Sequence, residues 1–130
     1  DVYKRQLINC GINPFGAITG MRNGELIEDP LIRKEMEETV REGKEVCDKM
    51  GIVLREDPIK KMIEVARKTY ENENSMLKDI KRGKRTEIDF INGAIVNKAR
   101  KVGVNVPKNE LLVSLVKAIE RRRIHPHDSY

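Results

Sequence analysis

At 130 residues the chain has the length of one domain with a real core, and with 38% apolar and 4% aromatic residues and no tryptophan that core is built from Ile, Leu, Val and Met. The net charge of +5, with 36% charged residues and a pI near 9.3, admits nucleic acid, a membrane surface or anionic small molecules as partners. Apolar runs of a few residues fall far below the roughly 20 needed to span a bilayer, and no signal-peptide pattern opens the chain, so a soluble cytoplasmic protein is expected.

The chain begins DVYKRQ, without an initiator methionine and without a glycine-rich strand-turn-helix unit for a dinucleotide. These residues look like translated adapter sequence, so residues 1–6 are expected to be a non-native leader. From Leu7 to Thr19, LINCGINPFGAIT reads as a helix despite Pro14, with Asn9 and Asn13 four apart on one face. Gly20 to Gly24 reads as a turn, and Glu25 to Glu28 as at most one helical turn. Pro30 at a first helical position opens a long helix, expected to be the central one, whose stripe is Ile32, Met36, Val40, Cys47 and Met50 and whose end is Gly51. Asp57 and Pro58 start the next, with Ile59, Met62, Ile63, Ala66 and Tyr70 as its buried side.

Ser75 is placed to cap a short helix, Met76 to Ile80, that breaks at Gly83 inside the basic turn Lys81 to Arg85. Thr86, with Asp89 three residues on, has the form of a helix start, and Ile88, Ile91, Ile95, Ala99 and Val102 form one stripe on one continuous helix. The last helix runs from about Lys108 to Arg123 with Leu111, Leu112, Leu115, Val116 and Ile119 inward, and residues 124–130 are expected to be a disordered tail. No segment alternates with a period of two. The fold class is therefore all-α, a compact multi-helix domain.

Two helices meeting at the basic turn bring Ser75 and Glu87 toward one cleft, where a hydroxyl and a carboxylate handle a polar ligand. On the residues alone, Ser75 and Thr86 also read as helix caps and Glu87 as a first-turn carboxylate favoured by the macrodipole. Asn9 and Asn13 are amides in an apolar helix, and such groups must be hydrogen-bonded if buried, to the protein, a ligand or an interface. Lys81, Arg82, Lys84 and Arg85 read as a solvated face or as a phosphate contact, which keeps a basic nucleic-acid module open as an alternative. Interleaved Glu and Asp and scarce aromatic residues count against it, so no nucleic acid and no membrane are expected as partners. Cys10 and Cys47 sit in apolar contexts without metal-ligand spacing and read as buried reduced thiols. His125 and His127 lie two apart in the tail, and no metal is expected.

The block SMLKDIKRGKRTEIDFINGAIV resembles the C-terminal domain of the ketopantoate reductase (2-dehydropantoate 2-reductase) family, whose members carry SSM-x-QD followed by TEID-x-ING. Asn9 to Pro14 and Asn23-Gly24-Glu25-Leu26 resemble that family's N-x3-N-P and N-G-E-L elements. Gly103 to Asn109, GVNVPKN, resembles its closing G-x-x-x-P-x-N. The likeness runs from about Leu7 to about Glu120.

The resemblance implies a helical domain of the 6-phosphogluconate-dehydrogenase C-terminal-like type, residues 7–123, which follows a Rossmann domain in the family. It implies hydride transfer from NADPH to ketopantoate, giving pantoate on the route to pantothenate and coenzyme A, with this chain as the substrate-binding and dimerisation half, inactive alone. A related reductase of another 2-keto acid is the alternative within the same chemistry. By the resemblance, Asn9, Asn13, Asn23, Asn72 and Ser75 hold the substrate, and Glu87 lies beside the nicotinamide and the catalytic lysine. That lysine's position is Arg5 here. Lys4 is one residue off, a rotation of about 100° on a helix, and an arginine does not release its proton near neutral pH.

Overall fold

The computed structural model describes the backbone of residues 2–124 and the side chains of residues 2–123. Along the chain it has α1 (Val2–Thr19), α2 (Asn23–Glu28), α3 (Pro30–Lys49), α4 (Pro58–Lys68), α5 (Ser75–Lys81), a 3-10 turn at Ile88–Phe90, α6 (Asn92–Val102) and α7 (Pro107–Ile124). There is no strand among the described residues, and the all-α class holds. The expected tail and its two histidines lie outside the described residues, apart from Ile124 at the end of α7.

Helix starts follow local chemistry. Asp29 accepts from the amides of Leu31 (3.0 Å) and Ile32 (3.2 Å), and Pro30, which has no N–H to lose, takes the first position of α3. Asp57 accepts from Ile59 at 2.9 Å and Pro58 opens α4 in the same way. The α5 cap is a correction: Asn74, not Ser75, accepts from the Leu77 amide at 2.9 Å, which makes Ser75 the first helical residue.

The central helix is α1 rather than α3. It packs against α2, α3, α4, α5 and α7 and buries Leu7, Cys10, Ile12, Phe15 and Ala17 around most of its circumference. By contrast α3 buries only the stripe Met36, Thr39, Val40, Gly43, Val46 and Cys47, because Lys, Arg and Glu fill its other faces. Both cysteines are free and buried, as read from the sequence.

A proline in the middle of the central helix requires an accounting. Pro14 has no N–H, so the carbonyl of Cys10, one turn earlier, loses its intrahelical donor. Asn92 supplies the replacement, donating from Nδ2 to the Cys10 oxygen at 3.2 Å and to Asn109 Oδ1 at 2.9 Å. Asn109 in turn donates to the Thr39 carbonyl (3.2 Å) and to Glu42 Oε1 (2.9 Å). Asn92 and Asn109 are fully buried, and this chain of amides ties α6, α7 and α3 to α1. Asn74 does the same from the other side, donating to the carbonyls of Ile12 (3.4 Å) and Asn13 (3.3 Å). It packs so close to Gly16 that a Cβ there would collide with its amide.

Residues 2–6 form the first turns of α1, with Lys4 paired to Glu56 at 3.3 Å and Gln6 donating to the Phe90 carbonyl at 3.4 Å. Three sequence expectations give way. The helix expected to run unbroken from Thr86 is interrupted at Ile91 (φ −108°, ψ −93°). Its start is held instead by α7: the Thr86 amide and hydroxyl donate to Glu120 Oε2 at 2.7 and 2.5 Å, while the hydroxyl accepts from Ile88 at 3.2 Å. Among the described side chains of α7 only a narrow line of Asn109, Leu112 and Val116 is buried, and Leu111 and Leu115 stand 56% and 40% exposed. Tyr70 lies past the end of α4 with its ring against Gly24, and Met50 is at the rim, so neither belongs to the fully buried core.

Candidate active site

Asn9 and Asn13, one turn apart on α1, face Ser75 and Asp79, one turn apart on α5, across a cavity of about 340 Å³ closed by Met76, Glu87 and Ile91. Because Asn74 does the capping, the Ser75 hydroxyl is not consumed by the helix end, and the side chain stays exposed to the cavity. Glu87 reaches it from the residue preceding the 3-10 turn. The chain reverses between α5 and that turn at Gly83, whose φ of +69° lies in the left-handed region that favours glycine.

A second cavity of about 500 Å³ adjoins the first, sharing Asn9, Glu87 and Ile91 and adding Arg5, Gln6, Lys98 and Phe90. The two form one cleft with Glu87 and Asn9 at the junction. Arg5, four residues before Asn9, points into this cleft, whereas Lys4 is occupied with Glu56 on another face. Asn23 and Asn72 line neither cavity. Asn23 donates from its side chain to Thr69 Oγ1 at 2.9 Å and from its backbone to the Asn72 carbonyl at 3.0 Å, which places the pair at the α2–α4 junction. The Asn23 side-chain oxygen is buried there without a hydrogen-bond partner.

Lys98 and Asp79 are among the cleft residues that escaped the sequence reading. Lys98 stands half-buried, its Nζ 3.3 Å from Gln6 Oε1 and 5.0 Å from the centre of the Tyr3 ring. Its signal was position: it follows Ile95 by three residues on the stripe that faces the interior. Asp79 repeats the Ser75 position one turn later, a spacing that puts both on one face.

The electrostatics divide the basic turn from the core. Lys81 hydrogen-bonds to Glu73 and holds that carboxylate below its usual range, so one cation of the turn is already paired. In the core, burial pushes the Cys10 thiol far above its ordinary value, and Cys47 moves the same way, with the Lys98 charge opposing both shifts. Among the described residues no cluster of three or more His, Cys, Asp or Glu side chains is placed to hold a metal ion, and no helix is long and apolar enough to cross a membrane.

Comparison with known proteins matches this chain over residues 1–120 to the family described as ketopantoate reductase PanE/ApbA, C terminal. It is 42% identical over 118 residues to the 2-dehydropantoate 2-reductase of Pyrococcus horikoshii, covering 91% of this chain and 39% of that protein. The Archaeoglobus fulgidus enzyme of the same name is 38% identical, with 92% and 40% covered. The chain thus spans about two fifths of the length of the curated relatives it matches. Among solved structures, the PanE/ApbA family ketopantoate reductase from Ralstonia eutropha JMP134 superposes with a TM-score of 0.89 at 31% identity, covering 95% of this chain and 41% of that one. A D-mandelate dehydrogenase in complex with NADH and anilino(oxo)acetate superposes with a TM-score of 0.83 at 29% identity, covering 94% and 41%.

Proposed function

We propose, from the premise that this chain belongs to the ketopantoate reductase family as its C-terminal domain, that it is the substrate-binding half of a cytoplasmic NADPH-dependent 2-dehydropantoate 2-reductase. The observation that carries the reading is the convergence of two amides, Asn9 and Asn13, the uncommitted hydroxyl of Ser75 and the carboxylate of Glu87 on one cavity. Neutral donors suit a 2-keto acid, because they meet its carboxylate and carbonyl directionally without burying another charge. Asn23 and Asn72 remain proposed as substrate contacts through closure of a partner domain over the α2–α4 junction, and the unpartnered oxygen of Asn23 supports a role there for at least that residue.

The adjoining cavity, with Arg5, Gln6 and Lys98 on its walls and Glu87 at its mouth, offers the cationic and polar groups that fit one end of an anionic dinucleotide. When bound, NADPH supplies the hydride that reaches the keto carbon. What this chain contributes is orientation: Asn9, Asn13 and Ser75 fix the substrate, and Glu87 orients the cation at position 5. Arg5 polarises the carbonyl but holds its own proton, so Arg5→Lys raises turnover. The rest of the dinucleotide site and half of the cleft belong to a Rossmann domain in cis, and the enzyme works as a homodimer.

A second reading, a reductase of another 2-keto acid, has the D-mandelate dehydrogenase likeness in its favour and the same roles for the same residues. A nucleic-acid module acting through Lys81 to Arg85 finds less support, since Lys81 is paired to Glu73. The test is NADPH-dependent reduction of ketopantoate by the full-length protein. Ser75→Ala removes a donor to a charged substrate and lowers kcat/KM about tenfold to a hundredfold. Glu87→Gln, of the same shape, lowers kcat and alters the pH profile. Wild-type kinetics in both variants overturn the site assignment.

A further inference from the structure

We infer that Asp79 receives a hydroxyl of the substrate in this cleft and so selects a hydroxylated 2-keto acid over its plain analogue, an inference that rests on the function proposed above. Asp79 is half-buried on the wall of the 340 Å³ cavity, one turn along α5 from Ser75 and opposite Asn9 and Asn13. Its carboxylate makes no hydrogen bond and no ion pair with any described residue, although the helix around it is rich in cations: Lys81 is committed to Glu73 instead. It is also at the unfavourable end of its helix. The Asp79 carbonyl accepts from Arg82 and Lys84 at the α5 terminus, so the side chain sits where the macrodipole is negative and repels a carboxylate.

The fold alone therefore gives no reason for an acid here. A carboxylate only accepts hydrogen bonds, so the ligand atom it meets must be a donor. The carboxylate and keto oxygens of a 2-keto acid are acceptors, and they belong with the N–H and O–H groups of Asn9, Asn13 and Ser75. The donor left to such a substrate is a hydroxyl. A site that hydrogen-bonds a substrate hydroxyl with a partly desolvated group discriminates strongly against the analogue lacking it, because that group is then left unpaired.

The test compares two substrates in the full-length protein: ketopantoate, which carries the terminal hydroxyl, and trimethylpyruvate, which has a methyl in place of the hydroxymethyl group. For the unaltered protein kcat/KM favours ketopantoate. Asp79→Ala lowers kcat/KM for ketopantoate about tenfold to a hundredfold, leaves trimethylpyruvate within about twofold, and does not lower the melting temperature. Asp79→Asn keeps the shape and a neutral acceptor, falls between the two, and serves if the alanine variant fails to fold. Equal losses on both substrates, or none on either, overturn the role of Asp79 and leave the reductase reading standing. If the unaltered protein reduces neither 2-keto acid, the reductase reading fails and this inference with it.

Discussion

Asn74 and Ser75 are neighbours, yet only Asn74 is spent on the backbone. Its oxygen caps α5 and its nitrogen reaches two carbonyls of α1, while the Ser75 hydroxyl is left for the cavity. Asn74→Ala should therefore cost about 2 kcal/mol of unfolding free energy, the sum of a lost cap and a weakened buried contact. Ser75→Ala should stay within about 0.5 kcal/mol. Urea unfolding of the two variants checks this, and the opposite order would return Ser75 to the role of cap. The motif around Ser75 was legible in the sequence, but which of two adjacent polar residues caps the helix depends on Gly16, some sixty positions away, leaving room for the Asn74 amide.

The buried thiols give a residue-scale prediction with a sign. Burial raises Cys10, and Cys47 likewise, above the ordinary thiol value of 9.0, so above that pH the unfolded chain loses protons that the folded chain keeps. The contribution is fully present below the unfolded value and is lost as pH rises beyond it. Between about pH 8 and about pH 10 the urea midpoint should fall, and fall less in Cys10→Ala. A thiol reagent at neutral pH should label neither cysteine until urea is added, and rapid labelling of the native protein would contradict the burial.

At the level of elements, the sequence shows where α3 and α4 begin, because Asp29 with Pro30 and Asp57 with Pro58 are complete local signals. It does not show the break at Ile91. That break goes with Thr86 being bound to Glu120 on α7, a contact between residues thirty-four positions apart. Leu111 and Leu115 were misread for a related reason: the periodicity of α7 supports a wider apolar face than α6, α1 and α3 cover. Pro14 was legible as a difficulty and its remedy was not, since Asn92 lies seventy-eight positions away. Asn92→Ala removes the donor to the Cys10 carbonyl and to Asn109, at a cost of about 3 kcal/mol. In a Pro14→Ala background the restored N–H can serve the Cys10 carbonyl, so the same substitution should cost at least about 1 kcal/mol less. Additive losses in the double-mutant cycle would show that Asn92 acts on α7 alone.

For the whole molecule, the cleft mouth is the informative surface. Val2 and Phe90, 79% and 77% exposed, flank the cavity that holds Arg5 and Glu87, and large apolar side chains beside a polar cleft mark a surface that another body covers. Since the chain spans about two fifths of its relatives, a cofactor-binding domain in cis is the proposed cover. The 130-residue chain alone should then bind NADPH no tighter than the millimolar range by calorimetry, because one wall of a site supplies few of the contacts that offset the entropy of association. It should also self-associate in sedimentation as concentration rises, with Phe90→Ser shifting the distribution toward monomer. If Leu111→Ser with Leu115→Ser does so instead, the sticky face is α7 and the contact is between copies rather than a trace of the cover. Micromolar NADPH binding, or a clean monomer at high concentration, would mean that this domain presents its cleft complete, and the division of labour proposed for the two halves would be wrong.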